Sequence, residues 1–134
     1  MARWKIKNVG MKGVSMAVPE NVVKTSDFDF FSQEEAEVFD NTVGIRRRHI
    51  APDNMCASDM CQAAAEKLLE ELGWERDSID VLLFESVTGD YRTPPTSCIL
   101  QDRLALSENC FCMDIPMGCC GCMYAITVAG NLLT

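Results

Sequence analysis

The chain has no apolar run approaching the roughly 20 residues a membrane span requires. Behind Met1-Ala2-Arg3-Trp4-Lys5 there is no apolar stretch of signal-peptide length, so the expected location is cytoplasmic. Basic residues are scarce: 12 Lys and Arg stand against 20 Asp and Glu, a net charge of −8. A phosphate-binding surface needs an excess of Lys and Arg, so the balance argues against a nucleic-acid partner. Acidity of this kind indicates a soluble, self-repelling surface. There is no low-complexity tract and no internal repeat, and His49 is the sole histidine. What remains is ordinary for a globular protein. Hydrophobic residues make up 48% and charged residues 24% of 134 positions, which predicts a packed core in one domain, or in a piece of a larger one.

Cysteine is abundant, at eight residues. In a secreted chain that count would suggest a disulfide framework. With no secretion signal, most are expected to be reduced thiols. Eight methionines accompany them, and sulfur-bearing side chains are expected to fill much of the core.

Along the chain, residues 3–18 read as extended, with Gly10 and Gly13 as breaks and a turn at Pro19-Glu20-Asn21. Ser26 is a candidate cap for a short acidic helix near 27–31. Ser32 and Glu35 have capping-box spacing for a helix to about Asn41, with Gly44 closing the region. Residues 56–72 carry an apolar stripe at steps of three and four through Met60, Ala64, Leu68 and Leu72, and Gly73 suits the position after the helix. Residues 79–84 are apolar nearly throughout, as in a buried parallel strand. Pro94-Pro95 opens a helix closed by Asn109, residues 110–115 form a second strand, and from Gly118 the pattern is helical. The order helix, strand, helix, strand, helix predicts a layered α/β sheet with right-handed crossovers. The helical pattern still runs at Thr134, which predicts a truncated chain or a gene fragment.

The informative stretch is Asp114-Ile115-Pro116-Met117-Gly118-Cys119-Cys120-Gly121-Cys122. A strand runs out, turns among small residues, and a helix begins, as in a nucleophile elbow at the carboxyl edge of a sheet. A thiol at a helix N-terminus feels the positive end of the dipole, which favours the thiolate. Such a thiolate can attack a thioester, with backbone N–H groups stabilising the oxyanion. Three cysteines compete for that role, and a buried inert thiol is the commoner fate of a cysteine. A metal site using Cys110, Cys112, Cys119, Cys120 and Cys122 is the alternative, though the spacing suits zinc poorly.

Four blocks carry a resemblance to the beta-ketoacyl-acyl-carrier-protein synthase III family, and it covers nearly the whole chain. Gly44-Ile45-Arg46-Arg47-Arg48-His49-Ile50-Ala51 is similar to the family's Gly-Ile-Arg-x-Arg-x-Ile block. The helix from Ala57 to Gly73 and the strand from Ile79 to Glu85 follow in family order. Thr93-Pro94-Pro95-Thr96-Ser97-Cys98-Ile99-Leu100-Gln101 is similar to a Pro-Ser-x-Ala-x-x-x-Gln stretch. Residues from Asp114 to Tyr124 are similar to Asp-x-x-x-x-Cys-x-Gly-Phe.

The resemblance implies a thiolase-like α/β/α layered fold with a mixed, largely parallel sheet, here as the incomplete N-terminal domain over residues 1–134. It implies that Cys119 is the acyl-accepting nucleophile. The acyl group would come from an acyl-coenzyme A thioester and condense with decarboxylating malonyl on acyl carrier protein, with no resident cofactor and no metal. It places Arg46 at the coenzyme A or carrier arm. At Thr93 the family has a bulky residue inserted into a neighbouring subunit's acyl pocket, which implies a homodimer and room here for a longer or more branched primer. The His and Asn that assist decarboxylation fall in the family's C-terminal half, so the 134 residues alone are expected not to complete condensation. The chain departs from the family at Val38 and Thr42, where a Trp and an Arg serve coenzyme A, and at Cys122, where Phe is usual. Two readings stand beside this one: another thiolase-fold enzyme, such as a secondary-metabolite ketosynthase or a hydroxymethylglutaryl-coenzyme A synthase relative, and a non-enzymatic thiol or metal-binding module.

Overall fold

The computed structural model describes residues 5–134, which group into two compact units. One comprises Val18–Cys56; the other comprises the described residues up to Ala17 together with Ala57–Thr134.

In the smaller unit, strand β1 (Val22–Lys24) pairs antiparallel with β2 (Arg47–His49), with Val23 opposite Arg48. Between them lies helix α1 (Gln33–Val43). Its start is the capping box read from the sequence. The Ser32 hydroxyl accepts from the Glu35 amide at 3.2 Å, and the Glu35 carboxylate accepts from the Ser32 amide at 2.9 Å. Those bonds hold the Glu35 carboxyl below its ordinary value. Gly44 ends α1 at φ 80°, a left-handed conformation that glycine adopts without penalty. Thr25 is fully buried. Its hydroxyl donates to Asp40 at 2.6 Å and accepts from the Arg48 guanidinium at 3.1 Å. The same guanidinium lies 5.2 Å from the centre of the Phe39 ring and 5.8 Å from that of Phe28. The acidic helix expected near 27–31 is instead a single 3-10 turn at Thr25–Asp27, because the Asp27 carboxylate bonds back to the Lys24 amide and closes it.

The larger unit contains α2 (Ala57–Leu72), β3 (Val81–Glu85), α3 (Thr96–Arg103), β4 (Phe111–Ile115) and α4 (Gly121–Leu132). Strands β3 and β4 are parallel, with Val81 opposite Phe111 and Glu85 opposite Ile115. Strand alternation sorts their side chains onto two faces. Val81 and Leu83 line a hollow with Ala125, Ile126 and Ala129, which puts α4 on that face. On the other face Asp114, opposite Phe84, hydrogen-bonds to the start of α3. Helices therefore cover both faces of the parallel pair, the three-layer α/β/α arrangement expected of a thiolase-like fold. Phe84, Leu100, Leu104, Cys110 and Ile115 are its buried apolar residues.

Three further expectations need correction. The described residues 5–17 form no strand; their apolar side chains Met11, Val14 and Met16 are more than 70% exposed. Gly13 instead packs its backbone against Leu68 and Leu72 of α2, and Gly130 of α4 packs against Ile6. Helix α3 stops at Arg103 rather than reaching Asn109, since Ala105 takes φ 50° and breaks the helical path. Helix α4 begins at Gly121, three residues later than Gly118, and ends at Leu132 with Leu133 as its C-cap.

Candidate functional site

Because β3 and β4 run parallel and in register, their C-terminal ends leave the sheet side by side, and the Ser86 amide donates to the Ile115 carbonyl at 3.3 Å. Two connections emerge at this edge: the loop 86–95 and the elbow 116–120. Loops at the carboxyl ends of parallel strands are where α/β folds place their chemistry.

The elbow is a tight path. The Met117 amide donates to the Ile115 carbonyl at 2.9 Å, and the Gly121 amide donates to the Gly118 carbonyl at 2.8 Å. Cys120, at φ −89° and ψ −8°, is the N-cap of α4. Cys119 therefore sits in the turn just ahead of the helix, with its side chain exposed. Gly121, at the first helical position, leaves room for the Glu85 side chain. A Cβ there would run into the Glu85 side chain, which lies over the start of α4 from the end of β3.

The elbow is fixed from behind by Asp114. Helix α3 has Pro95 at its N-cap, which makes no side-chain cap hydrogen bond, so its first amides need an acceptor from elsewhere. Asp114 supplies both of its oxygens, to the Thr96 and Ser97 amides, each at 2.8 Å. Thr96 and Ser97 are fully buried. The loop 86–95 is held in turn by the Asp90 amide donating to Thr96 Oγ1 at 3.0 Å, and by Ser58 of α2 donating to the Asp90 carboxylate at 2.5 Å. Arg103 completes the link, with bonds to Ser58 at 2.9 Å and to Asp59 at 2.6 Å. None of these roles for Asp114, Asp90 or Glu85 was read from the sequence. The signal for Asp114 was present: a helix opened by proline, with no Ser, Thr, Asp or Asn at its cap, must borrow an acceptor.

Between loop and elbow lies a cleft of about 560 Å³, walled by Phe84, Val87, Tyr91, Pro95 and Pro116, with Asp90, Arg92 and Asp114 as its charged residues. The Asp90 Oδ1 is buried here and accepts no hydrogen bond from the described residues. Thr93 is exposed between Arg92 and the cis peptide to Pro94, on the same loop. Thr93 and Cys119 thus leave the same edge of the sheet. Arg46 belongs to the other unit, where it is exposed beside a hollow lined by Glu34, Glu37 and Asp40, and its carbonyl accepts from the Thr25 amide at 3.3 Å. Val38 and Thr42 of that unit line an apolar groove with Phe31, Phe39 and Val43. His49 donates from Nδ1 to the Pro19 carbonyl at 2.5 Å, a structural contact within the smaller unit.

The remaining thiols differ in character. Cys110 is buried and Cys112 is half-buried on the α3 face; burial pushes both thiols up, Cys112 to about 12, with Cys110 and Cys98 adding to the rise. Among the described residues no group of three or more His, Cys, Asp or Glu side chains is placed to hold a metal ion. Among them too, no helix is long and apolar enough to cross a membrane.

No family model matches the chain. Curated relatives do. The chain is 35% identical over 124 residues to the beta-ketoacyl-[acyl-carrier-protein] synthase III of Geobacillus kaustophilus, covering 92% of this chain and 40% of that protein. It is 35% identical over 121 residues to the same-named protein of Xanthomonas oryzae, covering 90% of this chain and 37% of that one. Among solved structures, a 3-oxoacyl-(acyl-carrier protein) synthase from Burkholderia xenovorans superimposes with a TM-score of 0.85 at 38% identity, over 90% of this chain and 35% of that one. OleA of Xanthomonas campestris, at 22% identity and a TM-score of 0.83, shows the shared fold alone. The chain spans about 40% of the length of the curated relatives it matches.

Proposed function

We propose, from kinship with the N-terminal part of beta-ketoacyl-acyl-carrier-protein synthase III and its thiolase-like fold, that this chain carries the nucleophile of an acyl-condensing enzyme. Cys119 is the acyl acceptor. The observation that carries the reading is its position: an exposed thiol in the turn between a parallel strand and a helix, at the edge where the neighbouring strand also delivers a loop.

In the first half-reaction the Cys119 thiolate attacks the carbonyl of an acyl-coenzyme A thioester. The tetrahedral oxyanion is stabilised by backbone N–H groups at the elbow, and it collapses with loss of the coenzyme A thiolate. The acyl chain extends into the cleft between loop and elbow, whose walls Phe84, Val87, Pro95 and Pro116 are apolar. The small side chain at Thr93 leaves room for a primer longer or more branched than acetyl. Arg46 serves the coenzyme A or carrier arm. In the second half-reaction, malonyl on acyl carrier protein loses carbon dioxide, its carbanion attacks the acyl-enzyme, and the Cys119 thiolate departs. His49, engaged with the Pro19 carbonyl, takes no part; the His and Asn for decarboxylation come from outside these 134 residues. The reaction needs no resident cofactor or metal, and it proceeds in the cytoplasm within a homodimer. The apolar residues left exposed on and after α4, among them Met123, Tyr124 and Leu133, support an assembly larger than this chain.

The test is acyl loading. The chain is incubated with acyl-coenzyme A thioesters of increasing length and branching, then read by intact mass and peptide mapping. One acyl group on Cys119, absent from C119A and prevented by prior iodoacetamide treatment, is the expected result. Acyl groups spread over several exposed cysteines, or none on Cys119, would refute the assignment.

A further inference from the structure

The elbow holds more than one usable thiol. Cys119-Cys120-Gly121-Cys122 sets two exposed cysteines three residues apart across the start of α4. The backbone already follows a helical path there: the Gly121 amide bonds the Gly118 carbonyl at 2.8 Å, and the Met123 amide bonds the Cys120 carbonyl at 3.1 Å. Residues three apart on such a path face the same side, with Cβ atoms roughly 5–6 Å apart. A disulfide closes across Cα separations of roughly 4.4–6.8 Å, so the pair needs only a small tightening of an exposed turn. The other pairings fit worse. Adjacent Cα atoms lie about 3.8 Å apart, which is too close for Cys119 with Cys120. Cys120 and Cys122 are two apart and point in different directions. Cys110 and Cys112 lie on the opposite face of the sheet, toward α3. A C-x-x-C step at the start of a helix that follows a parallel strand is also the setting in which dithiols undergo exchange.

The geometry points to a reversible dithiol–disulfide centre formed by Cys119 and Cys122, with Cys122 as the resolving thiol and a small-molecule disulfide of the glutathione type as oxidant. The Cys119 thiolate attacks one sulfur of glutathione disulfide, forming a mixed disulfide and releasing one glutathione thiolate. The Cys122 thiolate then attacks the Cys119 sulfur and releases the second. The two protein thiols lose two electrons, the small disulfide gains them, and the two protons leave with the two glutathione thiols. The consequence for activity rests on the acyl-acceptor reading above: while the disulfide stands, the sulfur that takes the acyl group is blocked, and it is also shielded from irreversible oxidation.

The full chain is equilibrated in buffers of varied glutathione to glutathione disulfide ratio, acid-quenched, alkylated and mapped by peptide mass spectrometry. The expected product is a peptide spanning 119–122 that has lost two hydrogens and carries no glutathione, and dithiothreitol reverses it. C120S keeps this product. C122S replaces it with glutathione held on Cys119. Glutathione accumulating on Cys119 of the parent while Cys122 stays alkylatable overturns the proposal, as does an internal elbow disulfide that persists in C122S. Acyl loading is measured on the same samples. A disulfide that forms in a chain that never loads acyl refutes the acyl-acceptor reading and leaves the dithiol centre standing. Loading of Cys119 that is equal in reduced and oxidised samples refutes the dithiol centre alone.

Discussion

Removing the Asp114 carboxylate should loosen the sheet edge on which the elbow stands. In D114A the Thr96 and Ser97 amides lose their acceptor, and both residues are fully buried, so water cannot readily replace it. A hydrogen bond to a charged group contributes about 1.5–3 kcal/mol, and losing a helix cap typically costs about 1 kcal/mol. Asp114 is itself only half-buried, which places the pair toward the low end, at about 2–4 kcal/mol for D114A. D114N keeps one acceptor oxygen and turns an NH₂ toward the other amide, so it should cost about half as much, ~1–2 kcal/mol. Urea unfolding reads both variants, with midpoints shifting at constant slope. Because Pro116 to Cys119 follow Asp114 closely along the chain, the rate of Cys119 alkylation should change in D114N while that of Cys56, exposed in the smaller unit, does not. If D114A stays within about 0.5 kcal/mol of the parent, the double cap is not holding α3 to β4, and the reasoning fails.

Two further outcomes follow from the same edge of the sheet. G121A should be destabilised by about 1–3 kcal/mol through collision with Glu85, and the cost should vanish in an E85A background, where the added methyl finds space and favours the helix; equal costs in both backgrounds, by thermal or urea unfolding, would show that the contact is not the constraint. The raised Cys110 and Cys112 thiols should resist iodoacetamide at pH 8–9 while Cys119, Cys120 and Cys122 react, by mass mapping. The folded state prefers both thiols neutral, so their contribution to stability is complete below the ordinary thiol value of 9.0 and is lost as pH rises above it, that of Cys112 as pH approaches about 12; a stability that is flat with pH across that window in the parent, or unchanged in slope in C112A, contradicts it.

Local signals in the sequence marked those elements whose ends are built from adjacent residues. The Ser32–Glu35 box, the left-handed Gly44 and Gly73 and the apolar stripe of α2 are each decided within a few positions of chain, and each element lies where its residues placed it. The strand-turn-helix around Cys119 was legible for the same reason. Strands β1 and β2 were not, because Val22–Lys24 and Arg47–His49 are too short for alternation to show and exist only through pairing across 23 to 27 positions of sequence. The described part of the N-terminal segment went wrong in the opposite sense. Its scattered apolar residues resemble a strand, but Gly13 and Ile6 are used to pack against helices rather than to pair. Nothing local distinguishes Arg48 from Arg46 and Arg47 beside it, and only the fold shows it held between Thr25 and two aromatic rings.

The same distinction explains why the support of the elbow was invisible while the elbow itself was not. A thiol at a bend is a property of a few consecutive residues. Its rigidity depends on Asp114 meeting Thr96 and Ser97, and on Asp90 meeting Ser58 of α2 and, through that serine, Arg103 of α3. These bonds tie the loop 86–95 and the end of β4, from which the elbow leaves, to helices α2 and α3, so neither can shift without the other losing buried polar contacts. On the proposed reading, an acyl group held on Cys119 has its chain in the cleft that this loop walls and its carbonyl at the turn that Asp114 anchors. Separation of those two requirements by even about 1 Å would cost much of the advantage of positioning. On the proposed reading, the half-buried carboxylate behind the thiol, five positions earlier in the chain, is as consequential for acyl loading of Cys119 as the geometry of the turn itself.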